Sequence, residues 1–369
     1  MSLRSDLTRG GQFSLLQLAS GLRSTAYRPV VAVPSEGELA DSVRSLGIPV
    51  FVLGEWPHFA KTYLWTTFAS ISRLRGVIDE IGASIVHADA PRLAHLAALA
   101  KPSVKRVMHL RVSTHDGVSD TLLASHSDAL IAISRGVADR FLRFPLAVQR
   151  KIHVVYNGID TERFIPLSGS RRKEVRKAFG LPVQTPLVTM LAAFVPFKRH
   201  KFVVDFWKEV HEQTGAVLVL AGGGDEGLRE EIRREILNRD LNKAIRLLPP
   251  TPHPEDLLGC ADLNLLASIE DEGLGRVIPE AASCGVPSVA ADAPGVRETI
   301  LPGLTGILLP IKSKPEQWSN EVTGLLKDPE RLAMLGANAE QFARERFGAL
   351  KYVQGVCKVY DSLLRAEIS

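Results

Sequence analysis

Cysteine is scarce in this chain. Its 369 residues include three, Cys260, Cys284 and Cys357, scattered and without a CxxC spacing. That argues against a metal ribbon or a disulfide framework and for buried thiols. No run of eighteen apolar residues occurs, so no membrane-spanning helix is expected. No charged-then-apolar leader opens the chain, which points to a cytoplasmic protein. Basic runs interleaved with aromatics are absent too, so nucleic acid is not an expected partner. Nor is there an Asp-x-Asp pair.

What is present is ordinary globular material, 45% hydrophobic and 23% charged, in a length that suits two domains. The net charge is +4, and it is unevenly spread. Residues 1–165 carry 19 Lys+Arg against 14 Asp+Glu, and the remainder 26 against 27. An excess confined to the first half suits an anionic partner or an acidic membrane surface there.

Short β-branched runs alternate with helical periodicity nearly throughout. In the first half the strand candidates are Arg28–Pro34, Pro49–Leu53, Ser84–His87, Arg106–Arg111, Ala129–Ser134 and Lys151–Tyr156. In the second they are Pro186–Leu191, Ala216–Ala221, Ile245–Leu248, Asp262–Ala267, Pro287–Ala291 and Gly306–Leu309. Such alternation predicts α/β architecture, with two doubly wound parallel sheets facing a central cleft. The turn-rich stretch 157-NGIDTERFIPLSGS-170 marks a hinge. We therefore expect domains over 1–162 and 163–346, followed by a last helix over 347–369. One strand is lacking at the start. MSLRSDLTR has no four-residue apolar run, yet Gly10-Gly11 and an amphipathic helix are the usual sequel to a first strand. That strand is central in a doubly wound sheet, so the chain as given is expected to lack its native beginning.

The densest chemistry lies in 271-DEGLGRVIPEAASCGVPSVAAD-292. A strand ends near Ser268, a glycine-rich loop carries Glu272, and a helix from about Arg276 to Cys284 carries Glu280. A loop of this kind offers backbone N–H groups to a diphosphate, and Glu280 could accept hydrogen bonds from a ribose diol. The bland alternative is that Glu272 caps the helix and Glu280 is solvated. Gly222–Gly224 would allow a ligand close to the backbone, although a plain strand-to-helix turn accounts for them equally well.

The pattern S-x-x-x-E-G-L-G-x-x-x-x-E-A-A-x-C-G-V-P-S-V-A resembles the signature of family 4 of the retaining glycosyltransferases, which have the GT-B fold. The stretches 294-PGVRETILPGLTGILLP-310, 154-VVYNGIDTERF-164, 219-VLAGGGDE-226 and 10-GGQFSLLQLASGL-22 resemble that family's motifs in the same order. The resemblance implies a Rossmann-like second domain that binds a nucleotide-sugar. Glu280 would hold the ribose and Glu272 the transferred sugar, with the amides of Gly275, Arg276 and Val277 on the diphosphate. Lys198 would neutralise the leaving diphosphate, with Gly222 and Gly223 close to the donor and the base near Pro250 and Thr251. In the first domain, Gly10, Gly11 and Gln12 match the loop beneath the diphosphate. His109 and Arg111 close a strand, and Arg111 stands where the family usually has a histidine, which suggests an anionic acceptor or an extra diphosphate contact. The sequence departs from the family at Ala193, where an arginine is usual; Arg199 or Arg276 could compensate.

The implied activity is metal-independent transfer of a sugar, with retention, to a hydroxyl acceptor, and no cofactor is expected. The segment 55-EWPHFAKTYLWTTF-68 reads either as a core stripe or as a surface bringing the enzyme to a lipid-linked acceptor at the inner face of a membrane. His87 reads as a structural histidine. Ala193 and the lacking strand also support a non-enzymatic alternative, an inert protein that binds nucleotide-sugars. An epimerase on the same fold is a third possibility.

Overall fold

The structure, a computed structural model, describes residues 1–2, 4–6, 10–56, 64–112, 117–269 and 272–365, the side chains of 64–66 excepted. The chain forms two compact units, Met1–Gly158 with Ala349–Ser369, and Ile159–Gly348.

In the first unit the strands are β1 (Val31–Val33), β2 (Val50–Val52), β3 (Ile85–Ala88), β4 (Lys105–Leu110), β5 (Ala129–Ala132) and β6 (Ile152–Val154). All pairings are parallel, but the strands do not form the single sheet expected. β1 pairs with β2 alone, and a separate sheet runs β3-β4-β5-β6. The physical reason lies in the first residues. The Met1 amino group donates to the His87 carbonyl at 2.6 Å, Asp89 N–H donates to Met1 O at 3.3 Å, and Ser2 N–H donates to Ala32 O at 2.9 Å. Met1 and Ser2 thus sit between β1 and β3 as a two-residue ladder, too short to join the sheets. The expected strand Arg28–Pro34 shrinks to three residues between Pro29 and Pro34, neither of which can donate to a ladder. The helices Gly10–Leu22 and Ala349–Arg365 bury Leu18, Leu22, Tyr352, Val353 and Val356 against Val107, Ala129 and Ile131 of β4 and β5.

The second unit holds β7 (Leu187–Leu191), β8 (Val217–Ala221), β9 (Ile245–Leu248), β10 (Leu263–Leu266), β11 (Ser288–Ala291) and β12 (Gly306–Leu309) in one parallel sheet, ordered β12-β11-β10-β7-β8-β9. Its central strands are buried along their length, which is why they read as continuous apolar runs rather than as alternation. One face is sealed by the helices His200–Thr214 and Pro315–Leu326, whose Trp207 and Trp318 are wholly buried. Asp262, just before β10, accepts from Arg172, Arg176 and the Leu187 N–H at 2.7–2.8 Å. That carboxylate pins the start of β7 to β10. From β7 the chain builds outward first through β8 and β9, then through β10, β11 and β12. The switch point of the sheet therefore lies between β7 and β10, where open α/β sheets hold their ligands.

Candidate active site

The loop leaving β7 enters a short 3-10 turn, Pro196–Lys198, and Arg199 then turns the chain into the helix His200–Thr214 with a left-handed φ of 59°. Neighbouring loops hold this one closely. Phe194 N–H donates to Gly223 O at 2.7 Å and Asp225 N–H to Phe194 O at 2.9 Å. A Cβ on Gly222 would stand 2.1 Å from the Ala192 carbonyl oxygen, so only glycine permits this approach. Across the switch point, Ile269 N–H donates to Phe197 O at 3.1 Å. Lys198 and Glu272, from the ends of β7 and β10, form an ion pair with side chains only 14% and 12% exposed. Lys198 is therefore not a solvated surface group, and Glu272 binds the lysine rather than capping a helix.

Gly275 follows with φ 69°, and a Cβ there would come within 2.9 Å of Leu266. The helix proper is Val277–Ser283, shorter than expected, with Arg276 at its N-cap. Arg276 Nε donates to Glu280 Oε1 at 2.5 Å. Burial pushes the Glu280 carboxyl above the usual carboxylate range, and the Arg276 guanidinium pulls the other way. Pro250 and Thr251 lie in the loop after β9, where Thr251 Oγ accepts from His253 N–H at 3.0 Å.

Two residues here escape sequence reading. Arg163 donates to the Pro252 carbonyl at 2.8 Å and pairs with Glu255 at 2.7 Å. Both charges act on the Glu280 carboxyl, Arg163 lowering its pKa and Glu255 raising it. The available hint was a charged pair, Glu162-Arg163, inside the turn-rich hinge. A third, Arg229, brings its guanidinium within 5.7 Å of the Phe194 ring centroid with a side chain 13% exposed. It thus lies beside the loop that carries exposed Ala193.

Both expected substitutes for the arginine at 193 have partners within the protein. Arg199 stacks 3.7 Å above the Phe202 ring and donates to Ile311 O at 3.2 Å, while Arg276 is engaged with Glu280. Arg199 illustrates two opposed terms, left-handed strain and aromatic stacking. Arg199→Ala keeps the strain and loses the stacking, so urea unfolding should show a loss of ~1–2 kcal/mol. Arg199→Gly releases the strain and should stay within ~0.5 kcal/mol of the parent.

In the first unit, Gly10 and Gly11 are not a loop but the first residues of the helix Gly10–Leu22. Gln12 is buried in it. Arg111 lies against its first turn, 3.3 Å from where a Cβ on Gly11 would stand, and donates to Asn157 Oδ1 at 3.4 Å. His109 is not at an open strand mouth. Its exposure is 0%, and its Nδ1 meets His87 Nε2 at 3.1 Å while His87 Nδ1 meets Tyr360 Oη at 2.6 Å. Burial, with the Arg111 charge as a lesser cause, holds both imidazoles well below their usual pKa. The expected catalytic role for His109 gives way to a structural one shared with His87. Trp56 is buried and donates its Nε1–H to Ser2 O at 2.9 Å, so it is not on a membrane-facing surface. Phe68 is exposed, whereas Phe59, Tyr63 and the side chain of Trp65 lie outside the described residues.

The site geometry is therefore that of a doubly wound sheet with a lysine–glutamate pair at its switch point and a second arginine–glutamate pair one helical turn away. The sequence matches the family model for group 1 glycosyl transferases over residues 171–342 and that for Glycosyltransferase Family 4 over residues 8–163. The chain belongs to glycosyltransferase family 4. It is 30% identical over 251 residues to a D-inositol 3-phosphate glycosyltransferase of Xylanimonas cellulosilytica, a match covering 66% of this chain and 59% of that relative's length. An N-acetyl-alpha-D-glucosaminyl L-malate synthase of Bacillus anthracis is 27% identical over 293 residues, covering 76% of this chain and 74% of the relative. Among solved structures, Anabaena Alr3699/HepE in complex with UDP-glucose superposes with a TM-score of 0.84 at 21% identity, covering 97% of this chain and 98% of that one. This likeness establishes the GT-B fold.

Proposed function

We propose that this family 4 member is a retaining, metal-independent glycosyltransferase that moves a sugar from a nucleotide-sugar to a hydroxyl of an anionic acceptor. The observation that carries the reading is the Lys198–Glu272 pair, nearly dehydrated at the switch point. Lys198 is a compact point charge suited to a diphosphate. An arriving diphosphate competes for that ammonium and releases Glu272 to accept hydrogen bonds from the sugar. As the glycosidic C–O bond breaks, the electron pair passes to the diphosphate, whose oxygen takes the acceptor's proton as the new C–O bond forms on the same face. Positioning and charge stabilisation supply the catalysis. Glu280, oriented by Arg276 and flanked by Arg163 and Glu255, takes the ribose hydroxyls. Arg111, with Asn157 beside it, takes the acceptor's charge. The two relatives above support that choice, since one name contains inositol 3-phosphate and the other L-malate, both anions.

Calorimetric titration with UDP, GDP and ADP tests the donor site directly. One nucleotide should bind, and Glu280→Ala should weaken it roughly ten- to a hundredfold, the loss of a charged hydrogen-bond acceptor. Turnover should persist in excess EDTA, and proton NMR should show the donor's anomeric configuration in the product. Ala193 favours one competing reading, a protein that binds the nucleotide-sugar without transferring it. Intact binding with no turnover toward any anionic acceptor would establish that reading instead.

A further inference from the structure

Two helices of the first unit bring a pair of imidazoles together. His95 lies in the helix Pro91–Ala100, and His126 ends the helix Gly117–His126. Their Nδ1 atoms are 2.8 Å apart, and the rings meet edge to face at 76°. At most one hydrogen fits between nitrogens at that distance, so one Nδ1 offers its lone pair to the other. Burial, with His126 as a lesser cause, lowers the His95 pKa. Its imidazole is therefore neutral at neutral pH, the form that ligates metals. Both helices are fixed from behind. Leu93, Ala94, Leu96 and Ala97 bury one side of the first, whose last residue, Ala100, accepts from Arg75 Nε at 2.6 Å. Leu123 and Ala124 bury one side of the second, and its wholly buried Asp120 pairs with Arg140. Both histidines are only half-buried, and the residues one turn from them, Leu99 and Leu122, are exposed. The pair is thus held rigidly and open to solvent.

We propose that His95 and His126 form a binding site for a divalent transition-metal ion, each ligating through Nδ1. The hydrogen between the two nitrogens moves to an Nε2, and water takes the ion's other positions. Metal–imidazole bonds of ~2.0–2.1 Å set two nitrogens roughly 2.9 Å apart at right angles, and roughly 3.3 Å apart in a tetrahedron. The spacing of 2.8 Å matches the right-angle arrangement, which Ni²⁺ and Cu²⁺ favour over Zn²⁺. Among the described residues no group of three His, Cys, Asp or Glu could hold an ion, so no carboxylate completes the set. Lys151, whose ammonium donates to the Ala124 and Ser127 carbonyls at 2.8 and 3.0 Å, adds an opposing charge beside His126. Affinity must then come from imidazole nitrogen itself, which selects borderline ions and rejects Mg²⁺ and Ca²⁺. A bound ion ties the two helices together and stabilises the first unit by mass action.

The test titrates the full chain, carrying no affinity tag, with NiCl₂, ZnCl₂ and MgCl₂ by calorimetry near neutral pH. One Ni²⁺ per chain should bind, more tightly than Zn²⁺, and Mg²⁺ should not bind. His95→Gln and His126→Gln should each weaken Ni²⁺ by at least the roughly ten- to hundredfold that losing a second-shell partner costs. His211→Gln, at a half-buried histidine of the second unit, should leave Ni²⁺ binding unchanged. Nickel should raise the melting temperature of the parent and of His211→Gln, but not of the other two variants. A readout on the parent alone is independent of how the variants fold: pulsed EPR at one equivalent of Cu²⁺ should count two imidazole ligands. The proposal fails if His95→Gln/His126→Gln binds Ni²⁺ as the parent does, or if EPR counts fewer than two imidazoles. Zn²⁺ binding ahead of Ni²⁺ would overturn it as well, because the ligands would then not meet the ion at right angles. No readout depends on glycosyl transfer, so the outcome is independent of the function proposed above.

Discussion

Lys198→Ala should lower kcat by roughly 10²–10³-fold, or ~2.7–4 kcal/mol, the cost of removing one preorganised charge-stabilising group. On the proposed mechanism the dissociation constant of the intact nucleotide-sugar should move much less, because most of the charge that Lys198 would meet develops as the diphosphate leaves. A large effect on kcat with a small one on binding separates stabilisation of the leaving group from simple anchoring. Lys198→Arg tests shape as well as charge. The planar guanidinium needs a forked acceptor, and the pocket between Phe197 and Glu272 is built around a single ammonium, so activity should recover only in part.

The same substitution also acts on stability. Glu272 is 12% exposed, and without its partner it becomes a buried, uncompensated carboxylate. Denaturant unfolding should therefore show Lys198→Ala to be less stable than the parent, and Lys198→Ala/Glu272→Gln to recover much of the loss. If the double variant is as inactive as the single one but nearly as stable as the parent, the kinetic defect belongs to chemistry and not to unfolding. A single variant with unchanged kcat would remove Lys198 from the mechanism altogether.

Spacing along the chain revealed each half of this pair but not the pairing. Lys198 and Glu272 are 74 residues apart and meet only because β10 returns beside β7, a fact of topology that no local pattern contains. Strands were legible even at the two edges of the second sheet, where the residues are only partly buried, as in Ile245–Leu248 and Gly306–Leu309, whose bounds are those expected. Chemistry was misread where a strand end looked like a mouth. His109 lies within β4, whose last four residues are all buried, and a histidine there needs partners rather than substrate. Gly10-Gly11 suggested a loop through its resemblance to a family motif, yet both residues lie in the helix Gly10–Leu22. Arg163 was missed because an exposed-looking charge in a hinge carries no sign of the carboxylate it will face, and Glu255 because an acid in the first turn of a helix, here Pro254–Gly259, reads as ordinary helix-end chemistry.

Acid should destabilise the chain by roughly 3 kcal/mol through His200 alone, the difference between an ordinary imidazole pKa and the lowered one. His200 opens the helix that follows Lys198. It is 2% exposed and stacks on Phe194 with ring centroids 4.3 Å apart. Burial, and the Lys198 charge next to it, push its pKa down to about 4 from the usual 6.5. An unfolded chain therefore binds this proton at a pH where the native one refuses it. Stability is fully present above about pH 6.5, falls as pH drops, and has lost the whole contribution below about 4. His87 and His109, also held neutral by burial, add in the same direction. Glu280 works against them, because its raised pKa means that the native state takes up a proton before the unfolded one does. The His200 term is isolated by His200→Phe, which keeps the stack on Phe194 and removes the titration. Urea unfolding at several pH values between 7.5 and 4.5 should give a parent curve that falls more steeply than the variant's by up to one proton, ~1.4 kcal/mol per pH unit. Parallel curves would mean that the imidazole is protonated as readily in the native chain as in the unfolded one. In that case the stack on Phe194 opens to water, and the loop carrying Lys198 is less firmly held than its packing indicates.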